Sequence, residues 1–426
     1  MKRILILLLA TLLLCSCATP PEVDHPSEGI IPETEAGNTE GLDVSDMERF
    51  SGSPDEIAFP LWLLKKSLEA TPGENALLSP LSIRMALAMA LNGADGETRT
   101  EMEALLGKDT AALNEAMGNY LNDLPDSEEA KLTLANSIWM RDSKKLTVLQ
   151  EYLNLCREYY DAEVRNVPFD SSTLAEINDW VKTHTDGKIE KILNDIDPDA
   201  MLYLLNALSF EAKWETPFKE YQIAEEDFFP AVIEQVQTVE MMRSTEWVYL
   251  ENDNATGFIK PYAGGRFSFA AILPNEGTDF ASFVDQLTPE SLQTLLDGAR
   301  SAEVHIKLPK FTGEYQIEMS GILKTLGIST AFDKNSADFT KMGKYEYDEK
   351  LYIGRVLHKT FISVDDQGTE AAGVTGIEMV ATSSANPNTP VEYYTVFLDH
   401  PFVYMILDTE TGTPIFIGAV QSIPQN

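Results

Sequence analysis

Cysteine, basic charge and catalytic signatures are all scarce in this chain. Cysteine occurs at positions 15, 17 and 156 alone in 426 residues, too few for the disulfide framework of a small secreted scaffold. Lys and Arg total 32 against 68 Asp and Glu, a net charge of -36, which excludes nucleic acid and anionic membrane surfaces as electrostatic partners. Solubility and steering of basic partner proteins both remain as readings of that acidity. There are five histidines and no G-x-S-x-G elbow, H-E-x-x-H pair or P-loop, so hydrolase, metalloprotease and nucleotide chemistry lack their signatures. No enzyme, cofactor or metal site is expected. Against these absences stands a hydrophobic content of 44%, ample for a chain of this size to bury roughly 75% of its unfolded surface.

Lys2 and Arg3 precede an apolar run over residues 4–14, too short to span a bilayer but right for the core of a signal peptide. The tetrad Leu14-Cys15-Ser16-Cys17 resembles a bacterial lipoprotein box. That resemblance implies removal of residues 1–16, acylation of Cys17 and export to the cell envelope or surface, with an ordinary signal peptide as the alternative. Residues 18–48 carry Pro20, Pro21, Pro26 and Pro32, many acids and no Lys or Arg. A segment of this composition cannot bury enough apolar surface to order itself, so residues 17–48 read as a disordered acidic tether with a reach of roughly 30 Å.

From residue 49 to 426 the pattern fits one α+β domain without an internal repeat. Residues 59–68 have helical spacing, with Trp62 and Leu63 assigned to the buried side. Ser79 caps a helix that starts at Pro80 and stops at Asn92-Gly93. Its hydroxyls, Ser79 and Ser82, sit in an apolar setting and need partners. Further helices are expected at 98–106, 110–121, 148–159, 173–183, 279–287 and 316–326. Strands are expected at 132–140, 162–167, 239–243, 247–251, 256–261, 267–273, 302–309, 360–364, 402–407 and 415–420. Residues 201–210 form a nearly continuous apolar run, the mark of a strand covered on both faces, with Asn206 as its polar exception.

The stretch over 368–376 is made of small residues between a strand and a polar loop that holds Ser383, Ser384 and Asn386. Its alternation is informative. Thr369, Ala371, Gly373, Thr375, Ile377, Met379 and Ala381 fall on one face of an extended strand, and Glu370, Ala372, Val374, Gly376, Glu378 and Val380 on the other. The first face is uncharged and the second holds both acids. A one-residue slip would bury Glu370 and Glu378 at a cost of several kcal/mol each. Proline is absent from 368–386, so no ladder bond is forbidden. The segment reads as a strand in waiting.

Several blocks in order resemble the serpin family of protease inhibitors across residues 50 to 426. They are Leu78-Ser79-Pro80-Leu81-Ser82-Ile83, Asn92-Gly93-Ala94, the run from Asn206 through Trp214 to Phe218, His358-Lys359, the run from Asp366 to Gly373, and Asp399-His400-Pro401-Phe402. The resemblance implies three β-sheets, eight or nine helices, and an exposed reactive-centre loop over about 367–398. It implies a hinge at Gly368, Thr369, Glu370, Ala371, Ala372, Gly373, Val374 and Thr375. It also implies a polar cluster that controls sheet opening, at Ser79, Ser82, Asn206 and His358. Trp214 matches the tryptophan where insertion begins, and Lys310 a lysine that pairs with an acid at the loop base, here Asp366. Family counting puts the scissile bond between Thr382 and Ser383, with Met379, Val380 and Ala381 as other positions. The implied activity is suicide inhibition of a serine protease, held as a covalent acyl-enzyme by a monomeric inhibitor. A non-inhibitory member with a binding or chaperone-like role is the alternative. With no Lys or Arg from 368 to 426, elastase-like or subtilisin-like targets are expected rather than trypsin-like ones.

Overall fold

The computed structural model describes residues 54–124, 127, 129–231, 235–346, 350–369 and 393–424. The expectations for residues 1–48, Cys17 included, and for loop positions 370–392 fall outside them. Those positions are Glu370, Ala371, Ala372, Gly373, Val374 and Thr375 of the hinge, and Met379, Val380, Ala381, Thr382 and Ser383 around the scissile bond.

Among the described residues there are nine α-helices and seventeen strands. The first half is α1 (Pro54–Ala70), β1 (Ala76–Leu78), α2 (Pro80–Asn92), α3 (Gly96–Leu106), α4 (Thr110–Asn122), β2 (Ala130–Arg141), β3 (Leu146–Val148), α5 (Gln150–Tyr160), β4 (Glu163–Val167) and α6 (Ser171–His184). A strand-rich stretch follows with β5 (Leu202–Lys213), β6 (Ile223–Phe228), β7 (Gln237–Glu251), β8 (Ala255–Pro261) and β9 (Phe267–Pro274). Next come α7 (Phe280–Gln286), α8 (Pro289–Asp297), β10 (Arg300–Pro309), β11 (Phe311–Glu318), α9 (Ser320–Thr325) and β12 (Gly343–Tyr345). The chain closes with β13 (Leu357–Val364), β14 (Gly368–Thr369), β15 (Tyr393–Phe397), β16 (Phe402–Asp408) and β17 (Thr413–Val420).

These strands build three sheets. The largest runs β1-β17-β16-β9-β8-β7-β10-β15, with β6 also paired to β7. The six-stranded sheet runs β11-β13-β14-β5-β2-β4, and β3 with β12 forms the smallest. One core fills the space between the two large sheets, where Phe210, Phe267, Phe402 and Phe416 join one cluster with Leu87 and Leu91 of α2. A second cluster lies on the other face of the six-stranded sheet, where Trp139, Tyr203, Leu205 and Ala207 meet Ile177, Trp180 and Val181 of α6. Strand β5 is therefore covered on both faces, which is why its sequence is apolar almost throughout.

Helix α2 is buried at every position but Ala86, so it is a core helix with no solvated stripe. Ser79 caps it by accepting from the Ser82 amide, and Pro80 occupies the first turn. Gly93 ends it without left-handed backbone, at φ -92. Its smallness is required for a different reason: a Cβ there would lie 2.4 Å from Cβ of Met342.

Several expectations are corrected. Trp62 is 40% exposed while Leu61, Leu63 and Leu64 are buried, so the inward stripe of α1 passes beside the tryptophan. Val148 belongs to β3, paired with Gly343, and not to the following helix. The two strands expected over 239–251 are one continuous strand, β7, which pairs with β6 and β10 and then with β8. Gln316, Ile317 and Glu318 end β11 instead of starting a helix.

Candidate functional site

At the upper end of the six-stranded sheet the chain leaves β13 and reverses. Asp365 builds the reversal, its Oδ1 accepting from the amides of Gln367 (2.8 Å) and Gly368 (3.1 Å), the geometry of an Asx turn. The chain then starts β14 between β13 and β5, pairing Thr369 with Val364 and Ala212, and Gly368 with Lys213. Gly368 lies so close to β5 that a Cβ would stand 2.0 Å from the carbonyl oxygen of Ala212. Thr369 is 2% exposed and faces the core.

Trp214 fastens this turn. Its amide donates to the Gln367 carbonyl and its indole Nε1 to the Asp365 carbonyl, each over 2.8 Å, while the Phe218 amide donates to the Asp366 carbonyl over 2.9 Å. Lys310 Nζ lies 2.7 Å from Asp366 Oδ1, so the short aspartate side chain reaches the lysine and closes the expected pair. Burial opposes charge on both partners. Their mutual hydrogen bond outweighs it, so the Lys310 ammonium is held above and the Asp366 carboxyl below the ordinary range.

Lower in the sheet, Ser79 and His358 are brought together, with the Ser79 amide donating to His358 Nε2 over 3.1 Å. An acceptor Nε2 requires the neutral ring, and complete burial pushes the imidazole down to about 3. Ser82 joins through its amide to the Ser79 hydroxyl, at 3.2 Å. Asn206 reaches in another direction: its Nδ2 donates to Asn136 Oδ1 over 2.9 Å, and Asn136 donates to the Tyr160 carbonyl over 2.8 Å. Asn206 Oδ1 is buried without a hydrogen-bond partner among the described residues.

Between these groups lies a cavity of about 730 Å³, lined by Ile83 and Leu87 of α2, Leu204 and Asn206 of β5, and Leu357 and His358 of β13. Its cause is topological. Strand β5 pairs with β2 along its length and β13 with β11, but among the described residues they meet only through the two-residue β14. Below that point each keeps an edge facing the other. Among the described residues, then, the sheet is interrupted between β5 and β13 below a two-residue start at the top.

Four residues here escaped the sequence reading. Tyr262 is fully buried, stacked on Trp214 with ring centroids 4.5 Å apart and 8° between planes, and its phenol pairs with the Thr369 hydroxyl. Lys260 is 1% exposed, bonded to Glu246 Oε1 (2.7 Å) and the Thr216 carbonyl (3.0 Å), with its ammonium 4.6 Å from the Phe218 ring centroid. A charge inside the otherwise apolar strand of residues 255–261 was the available signal for Lys260. Glu246, Asn136 and Tyr262 gave none.

Comparison with known proteins agrees with this geometry. A family model described as Serpin (serine protease inhibitor) matches residues 55–423. An uncharacterized serpin-like protein of Thermococcus kodakarensis is 33% identical over 356 residues, 82% of this chain and 80% of that protein. Neuroserpin of Gallus gallus is 31% identical over 368 residues, covering 82% of this chain and 87% of its own length. Among solved structures, the native state of the thermophilic serpin tengpin superposes with a TM-score of 0.79 at 40% identity, covering 92% of this chain and 96% of that one. Its latent state gives 0.76 at 38% identity, with coverages of 90% and 100%. The chain belongs to the serpin family.

Proposed function

We propose that this serpin is a suicide inhibitor of elastase-like or subtilisin-like serine proteases. The observation that carries the reading is the pair of strand edges on β5 and β13, separated by a cavity and already joined at the top by Gly368 and Thr369. Reactive-loop insertion in serpins is an established form of strand addition. In the proposed reaction the protease serine attacks the Thr382 carbonyl, the amine of Ser383 leaves, and an ester joins Thr382 to the protease. The freed strand then extends β14 down the sheet, and fourteen residues at about 3.3 Å each carry the protease roughly 45 Å. About a dozen new ladder bonds at roughly 1 kcal/mol each supply a driving force on the order of 10 kcal/mol, so the uncut form persists kinetically. Met379, Val380, Ala381 and Ser383 are the other candidate cut positions, and the absence of Lys and Arg from 368 to 426 disfavours trypsin-like targets.

We further propose that the protein is exported as a monomer and anchored at the cell envelope by a lipid on Cys17, a reading supported by the leader and tether composition. Incubation of the chain with elastase, subtilisin and trypsin, read on denaturing gels and by mass spectrometry, tests the inhibitory reading. An SDS-stable complex with either of the first two is expected. Cleavage by every protease with no complex would overturn it in favour of a non-inhibitory binding protein. Loss of labelled palmitate incorporation in Cys17→Ser tests the anchor, and undiminished labelling would remove it.

A further inference from the structure

Thr369 is the first loop residue on the core face of the sheet, and its hydroxyl is paired with the phenol of Tyr262. Little freedom remains to that phenol. Its ring lies flat on Trp214, meets Phe210 edge-on with centroids 5.3 Å apart, and its backbone amide is tied to the Phe267 carbonyl over 3.0 Å. Burial drives the Tyr262 phenol far above its ordinary range, so it stays protonated and able to donate.

Two residues upstream, the Lys260 ammonium joins the end of β8, which leads into Tyr262, to the segment after Trp214, through the Thr216 carbonyl and the Phe218 ring, with Glu246 as counter-charge. A buried ion pair adds little net stability compared with apolar packing. What it does supply here is position, since it ties the end of β8 that leads into Tyr262 to the segment that follows Trp214.

We propose that Tyr262 is the positioning residue for loop insertion: by pairing with the Thr369 hydroxyl it sets the register of the first inserted residue and favours insertion over hydrolysis of the acyl-enzyme. This deepens, and rests on, the inhibitory reading. Register has a chemical consequence at this point. A slip by one residue would bring Glu370 to the phenol and bury a carboxylate among aromatic rings, which is strongly disfavoured. The loop must commit before the ester is hydrolysed, and because this pair already stands in the uncut chain, insertion starts from a fixed register with no slipped start to undo.

The test uses the full chain with a protease that the parent holds, and compares Tyr262→Phe, Thr369→Val, Thr369→Ser and the double variant Tyr262→Phe with Thr369→Val. Two quantities are read: the ratio of cleaved free inhibitor to SDS-stable complex, and the rate of the tryptophan fluorescence change after the loop is nicked. Tyr262→Phe and Thr369→Val should each raise the ratio and slow the change by about five-fold, the size one neutral hydrogen bond supports. Thr369→Ser should restore parental values, and the double variant should be no worse than either single one. Parental behaviour in both single variants, or additive losses in the double, overturns the proposal. If the parent holds no protease, the inhibitory reading fails, and the nicking rate alone decides this inference: a five-fold slowing upholds it and an unchanged rate removes it.

Discussion

Asn206 and Asn136 stand directly opposite one another on β5 and β2, and the Nδ2 of the first donates to the Oδ1 of the second over 2.9 Å. That bond fixes the amide orientation and leaves Asn206 Oδ1 buried without a partner among the described residues. Carried down from Thr369, the register of β14 brings position 375 opposite Asn206 on β5 and opposite His358 on β13. In the cleaved, inserted form the Thr375 hydroxyl is therefore expected to donate to Asn206 Oδ1. Thr375→Val should lower the unfolding midpoint of cleaved protein while leaving that of uncut protein unchanged. A midpoint in the cleaved form equal to that of the parent would refute the register.

His358 makes stability depend on pH. Its folded value, about 3, lies below the ordinary histidine value of 6.5, so the unfolded chain binds the proton more readily between the two. Stability is then fully present above pH 6.5 and falls as pH drops toward 3, by about 1.4 kcal/mol per unit from this group. Denaturation of uncut protein at pH 7.5, 6 and 5 should show that slope, and His358→Gln should flatten it while lowering stability at pH 7.5. An equal slope in the variant would assign the effect to other groups.

The Lys260 and Glu246 pair predicts a strong asymmetry between single and double substitutions. Lys260→Met strands a buried carboxylate and should destabilise by about 3–5 kcal/mol. Adding Glu246→Leu removes the stranded charge and should recover most of that loss. Additive effects in a double-mutant cycle of denaturation midpoints would show that the two charges do not act as a pair.

Gly368 predicts a steric block. An added methyl meets the backbone oxygen of Ala212, which cannot rotate away as a side chain could. Gly368→Ala should cost the seated hinge about 1–3 kcal/mol and reduce the fraction of protease held as complex by about tenfold. Complex formation at the parental level would mean that the hinge inserts without the close approach to β5.

The sequence made the fold legible where local chemistry and tertiary structure agree. The Ser79 cap with Pro80 marked α2, and the unbroken apolar run marked β5 as covered twice. Misreadings arose where one element runs straight into the next. Gln316, Ile317 and Glu318 at the end of β11 stand directly before the apolar residues of α9, and three residues are too few to separate a strand's period from a helix's. Helix α8 was missed although Thr288 and Pro289 carry the same cap signature as α2. At the site, Ser79, Ser82, Asn206, His358, Trp214 and Asp366 were named from the blocks they stand in, and Lys310 as the lysine the resemblance pairs with Asp366. Asn136 and Tyr262 were not, because their roles depend on what faces them: Asn136 across a ladder, Tyr262 across a stack with Trp214 and a hydroxyl 107 positions away.

The edges of β5 and β13 below Thr369 offer backbone donors and acceptors that recognise extended chain of nearly any composition. Selectivity must then come from proximity. A tethered segment presents itself at an effective concentration in the millimolar range, far above that of a competing strand in dilute solution. The foothold at Gly368 and Thr369 raises that advantage, since the first pairs are already made. Dilution protects the reaction, and crowding of many copies on one surface erodes it.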